Sequence, residues 1–115
     1  RGNELIISTV TVAEILTGAY LRKDANVALV TVKEVLNQFL WQEVDAGVAD
    51  ACAKLYAYLL LEGKKEVIEY PDVLIAATFL HSRCDVLLTL NKNDFMLFPQ
   101  LRKVVFTPEE FSQRS

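Results

Sequence analysis

The stretch DVLLTLNKNDF, residues 85–95, joins an aliphatic run to a cluster of polar and charged residues. The run DVLLT has the composition of a β-strand that is buried on both faces of a parallel sheet. The residues after it predict a short helical turn that Pro99 closes. Asn91 and Asp94 therefore lie just beyond the end of a strand. A surface turn explains them most simply, unless other acidic side chains of the chain reach the same place.

Strands and helices are predicted to alternate along the chain. Short apolar runs predict strands at 4–9, 40–44, 85–89 and 103–107. Apolar residues at helical spacing predict helices over 11–22, 24–39, 46–61 and 71–83, and PEEF predicts a last helical turn. Gly63 is expected to end the third helix, and residues 63–70 form a polar loop. This order is typical of an α/β fold with a mainly parallel sheet.

Composition limits the kinds of protein that this chain can be. It has 115 residues, enough for one domain, and 52% of them are hydrophobic, which excludes a disordered chain. No apolar run approaches the ~20 residues of a membrane span. The start lacks the features of a signal peptide, so we expect a cytoplasmic protein. Cys52 and Cys84 are predicted to be buried, reduced thiols.

Acidic side chains recur where predicted helices begin. Glu14 and Asp72 are placed in the first turns of their helices, and Asp94 follows the strand 85–89. Ligands of open parallel sheets bind at the carboxyl ends of the strands. Three carboxylates at one such edge would repel each other unless a cation neutralised them, and hard oxygen ligands select Mg²⁺ or Mn²⁺. Hydrolysis of a phosphodiester needs that arrangement.

Each of these residues also has a purely structural explanation. Glu14 completes a capping box with Thr11, and Asp72 is favoured by the helix dipole by about 0.3–1 kcal/mol. Asn91 can cap the turn that contains Asp94. Only the metal site requires that the three acids meet in space, so the two explanations differ in what they predict.

Three motifs resemble those of the PIN domain family, most closely its VapC-type toxins from toxin–antitoxin pairs. The pattern S-x-x-T-x-x-E-L/I-x-x-G is matched by Ser8, Thr11, Glu14, Ile15 and Gly18. The pattern D-x-x-I-A-A is matched by Asp72, Ile75, Ala76 and Ala77. The pattern T-x-N-x-x-D-F is matched by Thr89, Asn91, Asp94 and Phe95. The motifs occur in the order of the family and the resemblance covers nearly the whole chain.

The resemblance implies a three-layer PIN-like α/β fold, in which helices cover both faces of a mainly parallel central sheet. It implies an endoribonuclease that depends on Mg²⁺ or Mn²⁺. The residues that would act in it are Glu14, Asp72 and Asp94 as catalytic metal ligands, Asn91 as a further catalytic residue, and Thr89 and Thr11 as supports. The implied partners are an RNA substrate, an antitoxin that blocks the acidic pocket, and a second copy of the chain.

The chain departs from the family pattern at its start. The family opens with a strand that ends in an aspartate, and nothing before Glu4 matches it. Because the first residue is Arg1 and not Met, we expect this strand to lie upstream, and residues 1–115 to form a single PIN-like domain without it. If the strand is truly absent, the alternative is a catalytically inactive domain that binds a protein or RNA. A housekeeping RNA-processing nuclease is a further alternative to the toxin.

Several other side chains have two open interpretations. Lys92, Arg102 and Lys103 could contact phosphate, although solvated surface charge is the more usual role of such residues. His81, near the end of a predicted helix, is more typical of a surface residue than of a catalytic base. Trp41 falls at a position compatible with the core.

Overall fold

A computed structural model describes residues 5–64 and 68–113. Glu4 of the predicted first strand and residues 65–67 of the predicted polar loop lie outside the described residues, as does the start of the chain on which the missing-strand expectation depends. The chain forms two compact units, Arg1–Asp45 and Ala46–Ser115.

The first unit contains two short parallel strands and two helices. Its elements are β1 (Ile6–Ser8), α1 (Thr9–Tyr20), α2 (Ala25–Leu36) and β2 (Leu40–Gln42). Strands β1 and β2 pair in parallel, with Ile6 opposite Leu40 and Ser8 opposite Gln42. Helices α1 and α2 pack against each other. Both predicted helices and both predicted strands of this region are therefore present. The strands and α2 are shorter than predicted, and α1 has the predicted length but lies two residues earlier.

Helix α1 begins two residues earlier than predicted. Ser8 has an extended backbone and is the N-cap, because its Oγ accepts a hydrogen bond from the N–H of Val10 at 3.1 Å. Thr11 is then the third residue of the helix and Glu14 the sixth, beyond the first turn. The predicted capping box of Thr11 and Glu14 is therefore wrong: a serine three residues earlier already serves the helix start. The structural explanation for Glu14 is removed with it.

Helix α2 ends at Leu36, three residues before the predicted end. The carbonyl oxygen of Leu36 accepts two hydrogen bonds, one from the N–H of Phe39 at 3.1 Å and one from the indole N–H of Trp41 at 3.0 Å. Trp41 is 47% exposed, so the expectation that it lies in the core is wrong. Its polar N–H explains the position, since an indole prefers to keep that donor paired at a boundary with water.

The second unit contains the longer helices and two more short strands. Its elements are α3 (Ala46–Leu61), α4 (Tyr70–His81), β3 (Leu87–Leu88), α5 (Lys92–Phe95), a 3₁₀ turn (Pro99–Leu101), β4 (Val105–Phe106) and α6 (Pro108–Gln113). Strands β3 and β4 pair in parallel, with Leu87 opposite Val105. The parallel pairing of both ladders confirms that part of the sequence prediction.

Helices α3 and α4 form the centre of the second unit. Side chains spaced by three or four residues on α3 are buried together: Val48, Cys52, Leu55 and Leu59. On α4 the buried positions include Ala76 and Ala77, whose small side chains let the two helices approach closely. Both cysteines are free thiols, as predicted; Cys52 is buried, whereas Cys84 is only half-buried.

The end of α3 follows the predicted rule for a glycine at a helix terminus. Gly63 adopts a left-handed backbone with φ of 69°. The N–H of Gly63 donates to the carbonyl of Leu60 at 3.2 Å, and that of Lys64 to the carbonyl of Leu59 at 2.8 Å. These two bonds are the Schellman motif. The same pair of bonds ends α4, but there Arg83 takes the left-handed position with φ of 56°.

Strand β3 is less buried than its composition predicts. Leu88 is 47% exposed, which contradicts the expectation of a strand covered on both faces. Within the described ranges, β3 has β4 as its one strand neighbour. In residues 5–64 and 68–113, none of the helices is long and apolar enough to cross a lipid bilayer.

Candidate functional site

The polar residues after β3 line a depression at the carboxyl ends of β3 and β4. It has a volume of about 440 Å³, and its walls are Leu90, Asn91, Lys92, Asn93, Asp94 and Thr107. Five of these six residues come from the segment that follows β3, and the sixth directly follows β4. The depression thus lies where a parallel ladder places its ligands.

Thr89 ties the segment after β3 to the ladder. Its N–H donates to the carbonyl oxygen of Phe106 at 3.0 Å, which extends the pairing of β3 and β4 by one bond. Its Oγ1 accepts a hydrogen bond from the N–H of Asn91, also at 3.0 Å. The hydroxyl therefore holds the backbone of Asn91 at the mouth of the depression.

Asn91 and Asp94 lie in this segment in different environments. Asn91 is exposed and precedes α5, but its side chain makes no capping hydrogen bond with that helix. The predicted capping role of the Asn91 side chain is therefore wrong. Asp94 is half-buried, and its N–H donates to the carbonyl oxygen of Asn91 at 3.1 Å.

Asp72 is the third residue of α4. It is half-buried, and its N–H donates to the carbonyl oxygen of Glu69 at 3.0 Å. Val73, the next residue, is fully buried, so Asp72 stands at the border of the core. Since α5 contacts both α4 and β4, Asp72 and Asp94 belong to touching elements of the same unit.

The start of α4 is anchored to α3 through Tyr70. Its ring meets that of Tyr56 edge to face, with centroids 5.3 Å apart and an angle of 73° between the planes. Cys52 of α3 raises the pKa of the Tyr70 phenol, first through a side-chain hydrogen bond and then through its electrostatic effect. Two contacts with α3 thus fix the helix turn that carries Asp72.

Glu14 lies on α1 in the first unit, and its side chain is exposed. Within each unit taken separately, the described residues contain no group of three or more His, Cys, Asp or Glu side chains placed to hold a metal ion. The donor chemistry of the predicted set is nevertheless the one that a hard cation requires, since Glu14, Asp72 and Asp94 all offer carboxylate oxygens. The convergence of these three acids remains a prediction.

An ion pair that the sequence did not suggest borders the depression. The ammonium of Lys92 lies 2.9 Å from Oε1 and 3.1 Å from Oε2 of Glu110. Glu110 also accepts a hydrogen bond from the N–H of Thr107 at 3.0 Å, and its own N–H donates to the Thr107 hydroxyl at 3.1 Å. The pKa of the Glu110 carboxyl lies below its ordinary value. The hydrogen bond from the backbone of Thr107 is the largest cause, and the hydrogen bond from Lys92 is the second.

A local signal for half of this arrangement is present in the sequence. The stretch TPEE, residues 107–110, has the S/T-x-x-E spacing of a capping box with proline at the first helical position. It predicts the reciprocal bonds of Thr107 and Glu110. The contact of Glu110 with Lys92 spans 18 residues and has no such local signal.

The family model of the PIN domain matches residues 1–101. The chain belongs to the PIN domain family. The match includes the first unit, the second unit as far as Leu101 and all three motifs on which the resemblance was based. The predicted family and fold class are therefore confirmed.

Solved structures share this PIN fold. VapBC2 from Rickettsia felis, bound to a DNA fragment from its promoter, has a TM-score of 0.79 and 21% identity, covering 90% of this chain and 74% of that one. VapBC-1 from nontypeable Haemophilus influenzae has a TM-score of 0.76 and 19% identity, with coverage of 90% and 74%. DNA-bound VapBC from Salmonella typhimurium has a TM-score of 0.72 and 22% identity, with coverage of 78% and 66%. No curated protein matches the sequence.

Proposed function

We propose that this PIN domain is the toxin of a VapBC-type toxin–antitoxin pair and hydrolyses RNA phosphodiester bonds with the help of Mg²⁺ or Mn²⁺. The observation that carries the proposal is the depression beyond β3 and β4, which Asn91 and Asp94 line in a chain of the PIN family. An RNA substrate would place the activity in the cytoplasm.

The carboxylates of Glu14, Asp72 and Asp94 are the groups that we propose to hold the cation. Their oxygens suit Mg²⁺ or Mn²⁺, and both aspartates are half-buried, where bulk water screens their charge less than at an open surface. A bound divalent ion would polarise a water for attack on phosphorus. Asn91 would bind the metal through a water molecule or orient an acid, and Thr89 and Thr11 would support their own segments. No protein side chain acts as a covalent nucleophile in this scheme.

We propose that residues 1–115 form a single PIN-like domain, because the family model matches residues 1–101, which include the first unit and most of the second. Of the three acids, Glu14 belongs to the first unit, and Asp72 and Asp94 belong to the second.

The antitoxin and a second copy of the chain are the proposed protein partners. Their support is the apolar surface of the first unit, where Leu21 is 81%, Val27 66% and Val30 62% exposed. A groove of about 350 Å³ between α1 and α2 includes Val27 and Val32 in its walls. Exposed apolar patches of this kind mark protein-binding surfaces.

The test is RNA cleavage by the full-length protein with Mg²⁺ or Mn²⁺, compared among wild type, Asp94→Asn, Asp72→Asn and the control Asp50→Asn. Asp50 is an exposed acid on α3 that pairs with Lys54 and lies outside the depression. We expect both site variants to lose at least about 100-fold in cleavage, as removal of a group that stabilises the transition state does, and the control to keep wild-type activity. Binding of Mn²⁺, followed by calorimetry, should weaken in the same two variants.

Two results would contradict the proposal. Undiminished cleavage by Asp72→Asn would exclude that acid from the site. A wild-type protein that binds RNA but leaves it intact with either metal would instead support the inactive, RNA-binding alternative.

A further inference from the structure

Lys92 is the one basic side chain among the residues that line the depression. Its ammonium contacts both carboxylate oxygens of Glu110 and lies 6.0 Å from the centre of the Phe106 ring. The side chain is 28% exposed, and that of Glu110 is 46% exposed. The cation is therefore engaged and yet within reach of a ligand that enters the depression.

Glu110 is held in place independently of Lys92. Its carboxylate and backbone form the capping box with Thr107 at the start of α6. The carboxylate would remain at this position if the ammonium moved away, and the N–H of Thr107 would still satisfy one of its oxygens. Lys92 is the mobile partner of the pair, because it has a flexible four-carbon stem with a compact charge at its tip.

An ammonium group can donate to both oxygens of a carboxylate in much the same way as to two oxygens of a phosphodiester. We propose that Lys92 is a phosphate contact of this depression, and that Glu110 occupies Lys92 until the RNA backbone displaces it. This inference rests on the proposed function, which supplies RNA as the ligand. Glu110 is thus an internal competitor that weakens RNA binding.

The energetics of the pair favour such an exchange. Ion pairs between exposed side chains contribute little to stability, so a phosphate can replace Glu110 at small cost. Because Glu110 and a phosphate compete for the same ammonium, removal of the Glu110 charge should strengthen RNA binding. Arg102, another candidate for phosphate contact, donates from Nε to the carbonyl oxygen of Met96 at 2.9 Å and is not among the lining residues.

The test is the affinity of the full-length protein for a short fluorescein-labelled single-stranded RNA, measured by anisotropy in EDTA at several salt concentrations. Glu110→Gln removes the charge and preserves the capping box, because glutamine is accepted at that position. Asp50→Asn is the matched control, since it also frees a lysine from an acid, in the exposed pair with Lys54 on α3. Lys92→Met and Lys92→Arg test the cation itself.

We expect Glu110→Gln to bind RNA about two- to fivefold more tightly than Asp50→Asn, the range set by a surface ion pair. Lys92→Met should bind more weakly and flatten the slope of log affinity against log salt by about 0.7, the loss of one phosphate contact on a single strand. Lys92→Arg should restore the slope. In the Lys92→Met background, Glu110→Gln should lose most of its effect.

Equal RNA affinities of Glu110→Gln and Asp50→Asn would overturn the inference. The inference would also fail if Glu110→Gln strengthened RNA binding as much in the Lys92→Met background as in wild type. Cleavage activity separates this failure from that of the proposed function. A protein that cleaves RNA with affinities unchanged by Lys92 would overturn only the phosphate contact. A protein that binds RNA as expected without cleaving it would overturn only the nuclease, and one that neither binds nor cleaves RNA would overturn both.

Discussion

The imidazole ring of His81, at the end of α4, occupies the space that a side chain would need at Gly47, near the start of α3. A Cβ built on Gly47 would lie 2.7 Å from Nδ1 and 2.9 Å from Nε2 of this ring. No real Cβ approaches nitrogen so closely, so glycine is required here while His81 keeps its position. The two ends of neighbouring helices are thereby fitted to each other.

Gly47→Ala should destabilise the protein by about 1 kcal/mol, at the lower end of the range for overpacking, because the exposed ring of His81 can partly move aside. The measurement is urea unfolding followed by circular dichroism. Gly18→Ala is the control, since nothing lies within 4 Å of a Cβ at that exposed helical position. It should stabilise the protein by about 0.5–1 kcal/mol. Equal stability of Gly47→Ala and wild type would contradict the fit, and Gly47→Ala with His81→Ala should regain part of the loss.

Arg83→Gly should stabilise the protein by about 1 kcal/mol. Arg83 holds the left-handed position of a Schellman motif at φ of 56°, a conformation that costs a side-chain-bearing residue about 1–2 kcal/mol. The reverse change, Gly63→Ala, places a Cβ in the equivalent position after α3 and should destabilise by a similar amount. Thermal unfolding of both variants checks the pair. A loss of stability in Arg83→Gly would mean that the arginine side chain contributes more than its backbone costs.

The contribution of Glu110 to stability should depend on pH. Its pKa in the folded protein lies below the ordinary value of 4.5, so the ionised form is the one that folding favours. The stability advantage of wild type over Glu110→Gln is therefore present above pH 4.5 and is lost as the pH falls through the lower folded-state pKa. Unfolding curves between neutral and strongly acidic pH measure the difference. A difference between wild type and Glu110→Gln that persists in acid would contradict the role of the charge.

Val27→Asp should weaken antitoxin binding by about tenfold or more, if the groove between α1 and α2 is the partner surface. The side chain is 66% exposed, so its folding cost is small, whereas a charge in an apolar interface is expensive. Acidic residues are also tolerated in the first turn of a helix. Calorimetry with the purified antitoxin gives the affinity, and Ala53→Asp on the exposed side of α3 is the control. Equal affinities for both variants would place the partner elsewhere.

Local patterns predicted most of the elements but not their full extent. The bounds of α3 were predicted correctly, because apolar residues at helical spacing run along the whole helix and Gly63 lies two residues beyond its end. The start of α1 was missed because two polar residues compete for the cap, and Ser8 is better placed than Thr11. The position of Trp41 was missed because its hydrogen bond to Leu36 depends on how a strand returns past a helix end.

The candidate site was predicted only as far as residue chemistry allows. The motif that contains Asn91 and Asp94 identified the segment that lines the depression. The partner of Lys92 could not be predicted, since Glu110 is brought to it by the pairing of β3 with β4. Whether Glu14 joins the two aspartates depends on elements distant along the chain, about which helical or strand periodicity carries no information.

The hydrogen bonds of Thr89 and Lys92 have a consequence for the order of synthesis. In the segment before Asp94, Thr89 is bonded to Phe106 and Lys92 to Glu110. The ribosome adds both Phe106 and Glu110 after this segment. A nascent chain that ends at Val105 would already contain every acid of the proposed metal site and would lack both tethers. A stop codon at position 106 should therefore yield a chain whose amides at 89–94 exchange with solvent much faster than those of the intact protein.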